Sequence, residues 1–115
     1  MDTAIKSFMQ YIHAAHAIES EGLIAELDAQ DRFLLEMLVK KWVQNDPMTV
    51  VKAMGLKSIG SPATLHRKLA KLRKLGFVQA QADAHDQRIK WLIPTSVALD
   101  YFSAMAAAMK SAMAA

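Results

Sequence analysis

The sequence contains no cysteine. That excludes disulfides, thiolate metal sites and a cysteine nucleophile, and it fits a cytoplasmic protein. No run of about 18 or more apolar residues occurs, so no membrane-spanning helix is expected. The opening Met1-Asp2-Thr3-Ala4 lacks the basic start and apolar block of a secretory signal. Glycine and proline are scarce, at four and three residues, so each one stands out as punctuation. Acidic residues are missing from one long stretch altogether. Between Pro47 and Ala82 there are seven basic residues (Lys52, Lys57, Arg67, Lys68, Lys71, Arg73 and Lys74) and no Asp or Glu. The other seven basic residues share the remaining sequence with all eleven acids. A net charge of +3 thus conceals a polarised chain, with one segment suited to a polyanion.

What is present is an ordinary globular composition, 53% hydrophobic and 22% charged, rich in Ala and Met and therefore in helix formers. Its 115 residues are expected to form one domain. Residues 3–20 read as a helix with Ile5, Phe8, Met9 and Ile12 on one side. Asp28 is placed to cap a helix carrying Leu34, Leu35, Leu38, Val39 and Trp42 at helical spacing. Asp46-Pro47 predicts the start of a short helix with Val50, Val51 and Met54, ended by Gly55. Ser61-Pro62 repeats the start signal, and Leu65, Leu69 and Leu72 follow on one face. Gly76 stands where a left-handed helix cap is wanted. The period then changes to two. Phe77–Gln81 and Arg88–Ile93 alternate on either side of the polar turn Asp83-Ala84-His85-Asp86, the pattern of a β-hairpin. Pro94 and Ser96 close it and open a last helix over 96–113.

Three helices and a hairpin, flanked by terminal helices, predict a mainly α fold with a small β-hairpin (α+β): a winged helix-turn-helix with its core over 27–95. A major groove admits one α-helix, which must hide one face and offer the other. At 100° per residue the helix from Ser61 turns Ala63, Thr64, Arg67, Ala70, Lys71 and Lys74 away from its leucines, with His66 and Lys68 flanking. Small residues allow close approach to base edges, and Arg67 could donate two bonds to a guanine. Lys68, Lys71 and Lys74 suit phosphates. On the wing, Gln87, Arg88 and Lys90 are candidates, Arg88 for a narrow minor groove. The candidate DNA contacts are thus Ser61, Ala63, Thr64, His66, Arg67, Lys68, Lys71, Lys74, Gln87, Arg88 and Lys90.

The run SPATLHRKLAKLRKLGFVQAQADAHDQRIKWLIPT, from Ser61 through Thr95, resembles the recognition helix and wing of MarR-type bacterial transcription regulators. The shared pattern is a leucine-spaced basic helix, a glycine, an apolar pair and an Asp-x-Arg, here Asp86 and Arg88. The chain departs from it in the longer Gly55–Gly60 connection, in Gln79-Ala80 where a basic residue is common, and in having one carboxyl-terminal helix. The resemblance implies a two-fold dimer matched to a palindromic site, a repressor acting by operator occupancy, and room for a small-molecule effector. Ile5, Phe8, Met9 and Ile12, with Phe102, Met105, Met109 and Met113 on the last helix, are the expected dimer interface. No cofactor or metal is expected. His13 and His16 have no carboxylate at ligand spacing, His85-Asp86 has no nucleophile, and the glycines form no phosphate cradle, so no enzyme is expected. The competing readings are a protein-interaction module and a nonspecific DNA-binding accessory.

Overall fold

The computed structural model describes residues 1–114. Helix α1 (Thr3–Glu19) is followed by a 3₁₀ turn (Gly22–Glu26), then α2 (Ala29–Val43), α3 (Val50–Ala53) and α4 (Pro62–Lys74). Strands β1 (Val78–Ala82) and β2 (Lys90–Pro94) precede α5 (Ser96–Ala114). The chain forms two compact units: Leu27–Ala98, and Met1–Glu26 with the chain from Leu99 onward.

The Leu27–Ala98 unit holds the helix-turn-helix and the hairpin. Asp28 accepts from the Asp31 amide at 2.8 Å while the Asp31 carboxylate accepts from the Asp28 amide at 3.0 Å. This reciprocal box starts α2 and satisfies two otherwise orphaned donors. Helix α2 buries Leu34, Leu35 and Leu38, and α4 buries Leu65, Leu69 and Leu72. Phe77, Val78 and Leu92 complete the core from the hairpin. Each such side chain stabilises the fold by about 1.5–3 kcal/mol relative to an exposed position.

The expected start of α3 at Asp46-Pro47 is corrected to Val50, with Thr49 as the cap, accepting from the Lys52 amide at 3.1 Å. Tertiary pairing overrides the local signal. Asn45 adopts a left-handed conformation (φ 61°), and the amides of Asn45 and Asp46 bond back to α2 at Trp42 and Lys41, both at 3.0 Å. Asp46 thereby ends the preceding helix. The chain then runs beside β2, where the Leu92 amide donates to the Met48 carbonyl at 2.8 Å and Thr49 bridges to Trp91. Extended residues cannot also begin a helix, so α3 is reduced to Val50–Ala53. Val51 on it is 80% exposed.

Strands β1 and β2 are antiparallel, with Val78 opposite Pro94 and Ala82 opposite Lys90. Gly76 ends α4 at φ 85°, a conformation that costs a residue with a Cβ roughly 1–2 kcal/mol. The Thr95 hydroxyl donates to the Gly76 carbonyl, and the Thr95 amide donates to the Phe77 carbonyl at 3.0 Å. The exit of the hairpin is thus stitched to its entry. The architecture is an α+β winged helix-turn-helix.

In the other unit, Ala15, Ile24, Tyr101 and Ala112 are buried. The Tyr101 hydroxyl donates to Glu19 at 2.8 Å, tying α5 to the end of α1. The 3₁₀ turn Gly22–Glu26 has no counterpart among the expected elements; its one buried residue is Ile24.

Candidate nucleic-acid interface

Helix α4 begins on Ser61, whose hydroxyl accepts from the Thr64 amide at 3.3 Å and donates to the Thr64 hydroxyl at 3.2 Å. Gly60 just before it approaches closely: a Cβ there would stand 2.9 Å from the Thr64 methyl. The buried row Leu65, Leu69 and Leu72 fixes the helix rotation. Ala63, His66, Arg67, Ala70, Arg73 and Lys74 are left exposed, with Thr64 half-buried. No acidic side chain stands on that face, since α4 contains none. Arg73 is exposed as well, but on the flank beside His66: at 100° per residue it stands about 120° from Arg67 and nearer the leucine row, so helical spacing alone does not mark it.

Lys68 is the clearest departure. Expected on the flank of the exposed face, it is 8% exposed and its ammonium lies 3.0 Å from Asp31 and 3.6 Å from Asp28. Lys71 is half-exposed and holds the other Asp31 oxygen at 2.7 Å. The reason is electrostatic. Asp31 is 1% exposed, and a buried carboxylate requires opposite charge and hydrogen bonds. Burial pushes its pKa up, but the bonds from Lys71, the Asp28 amide and Lys68 outweigh this and bring it down to about 2. These two lysines join α4 to α2 and do not project freely from the helix.

The wing turn is built on two aspartates. Asp83 accepts from the His85 and Asp86 amides at 3.0 and 3.1 Å and from the Trp91 indole at 2.9 Å. The indole bond, chiefly, holds its carboxyl below the usual range. Asp86 accepts two bonds from the Arg88 guanidinium, from Nε and an Nη, both at 3.0 Å. This fork lowers the Asp86 carboxyl and raises the guanidinium. The Arg88 side chain remains 90% exposed. Gln87 and Lys90 are exposed beside it. Arg88 is therefore oriented by Asp86 while staying open to solvent.

The residues expected to pair two copies lie in the other unit. Ile5, Phe8, Met9, Met109 and Met113 are exposed, while Ile12, Phe102 and Met105 are half-buried. Phe8, Tyr11, Met109 and Met113 line an apolar groove of about 460 Å³ between α1 and α5.

No protein-family model and no curated protein matches the sequence. Solved structures similar in fold include the following three. The YusO protein from Bacillus subtilis is 15% identical with a TM-score of 0.57, over 96% of this chain and 70% of that one. A probable transcriptional regulator from Pseudomonas aeruginosa is 20% identical with a TM-score of 0.55, over 93% and 80%. The transcriptional regulator PA4135 is 17% identical with a TM-score of 0.55, over 92% and 75%. At these identities the likeness is one of fold.

Proposed function

We propose that this chain binds duplex DNA through α4 and the wing, and regulates transcription by occupying an operator as a homodimer. The observation that carries this reading is the exposed face of α4. It is small at Ala63 and Ala70, basic at Arg67 and Lys74 with Arg73 on its flank, and free of acids. Such a face can enter a major groove closely and donate to guanine or phosphate. Support comes from two further quarters: Arg88 is presented by a bidentate aspartate, and two of the similar folds are described as transcriptional regulators.

In this reading Ser61, Ala63, Thr64, His66 and Arg67 meet the groove. Arg73 and Lys74 meet phosphates, as do Gln87 and Lys90 beside the Arg88 of the wing. Lys71 contributes through its exposed half. Lys68 acts through α2, by fixing how α4 is held. The exposed apolar residues of α1 and α5 pair with those of a second copy, and the two-fold axis sets the spacing of two half-sites.

The test is anisotropy binding to a pool of genomic duplexes at two salt concentrations. One fragment bound about a thousandfold or more above the rest at moderate salt is expected. Uniform weak binding that disappears with salt would mean electrostatics without sequence reading.

A further inference from the structure

On the hairpin side of the Leu27–Ala98 unit lies a groove of about 620 Å³ whose lining includes Trp42, Asn45, Asp46, Asp83, Trp91 and Ile93. Both tryptophans of the chain line it, and both are partly exposed. Three features bring negative charge to its lining, against the lysines of the last turn of α2. Helix α2 ends here, with the partial negative charge of a helix carboxyl terminus. Left-handed Asn45 then turns the chain so that Asp46 follows directly on the rim, exposed, with the Lys41 ammonium 3.8 Å away. The third is Asp83. Its oxygens are held by the Trp91 indole and by two backbone amides. All three are neutral donors, so the charge is oriented without being cancelled. The same bonds fix Trp91 in place as a wall of the groove.

From this we infer that the groove binds a small hydrophobic organic cation, its apolar body against the two indoles and its charge towards Asp46 and Asp83. Indole faces attract cations through their quadrupole, and carboxylates beside them reject an anion of the same shape. A neutral apolar ligand would gain the indoles and leave the carboxylates unused.

Tetraphenylphosphonium and tetraphenylborate, close in shape and opposite in charge, separate these possibilities. Because both tryptophans line the groove, their emission reports occupancy with no label and no DNA, so the result stands apart from the DNA reading. The cation is expected to change the emission saturably and the anion is not. Asp46→Asn, at an exposed position that does not threaten folding, weakens the cation about threefold. Trp42→Leu weakens it about tenfold, read from the remaining tryptophan. No saturable response to tetraphenylphosphonium, an equal response to tetraphenylborate, or an affinity unchanged in Asp46→Asn overturns the inference.

Discussion

The Lys68 ammonium lies 3.0 Å from an Asp31 carboxylate that is 1% exposed, and Lys71 closes the other oxygen at 2.7 Å. Asp31 sits in the first turn of α2 and both lysines are on α4. Helix α4 is therefore held to α2 by charge as well as by leucines. An ion pair of this kind stabilises little relative to an apolar contact of the same volume, yet losing one partner is costly.

Asp31→Asn leaves the Lys68 charge with only the more exposed Asp28 at 3.6 Å and should destabilise the protein by about 2–3 kcal/mol. Urea unfolding followed by circular dichroism measures this. Asp31→Leu combined with Lys68→Met removes both charges and should recover most of the loss. A single substitution costing less than about 1 kcal/mol would show that water already reaches the pair.

The same carboxyl predicts an acid limb. Its folded pKa of about 2 lies below the ordinary 3.8. A depressed pKa contributes stability that is complete above the unfolded value and is lost as pH falls through the folded one. Stability should therefore drop between about pH 4 and pH 2, by about 2 kcal/mol from this group. Asp31→Asn should flatten that part of the profile. An unchanged acid limb in the variant would assign it to other carboxylates.

On the wing, Arg88→Ala should weaken duplex binding about tenfold and lower the salt slope by about one. Asp86→Ala keeps the Arg88 charge, removes the carboxylate's and releases the guanidinium from its fork, so a smaller loss with no fall in the slope is expected. Stronger binding after Asp86→Ala would mean that Asp86 withholds the arginine from DNA.

Phe8, 55% exposed on α1, is the residue to test for pairing. Phe8→Asp should convert a dimer to a monomer in sedimentation equilibrium, while the monomer, losing only a half-exposed ring, stays folded by circular dichroism. A wild-type chain that sediments as a monomer would remove the dimer from the account.

Much of the fold was legible because its signals are local. Asp28, Ser61 and Gly76 each act within one turn of chain, and each does in the structure what its residue type suggests. Period-two alternation found the hairpin, which spans Val78–Ala82 and Lys90–Pro94. Asp46-Pro47 misled because its competitor is tertiary: the pairing of Met48 and Thr49 with β2 cannot be seen in a window of ten residues.

The candidate interface divides in the same way. Helical spacing was enough to place Arg67 and Lys74 on an open face of α4. It put Lys68 on the flank, since a helical wheel knows nothing of a carboxylate 37 residues earlier in the chain. The available hint was an aspartate in the first turn of α2 with lysines three apart on α4. The groove behind the wing has no signature in the sequence, because its tryptophans, 49 positions apart, read separately as core and strand residues.

If the exposed face of α4 reads bases, Arg67 is the side chain whose loss should show it. The affinities of wild type and Arg67→Ala would be compared on the best genomic duplex and on a scrambled duplex of equal length at one salt concentration. A loss of about tenfold to a hundredfold is expected on the selected duplex, with a much smaller loss on the scrambled one. Equal losses on both would make Arg67 a phosphate contact, and no loss on either would contradict the placement of α4 in the groove.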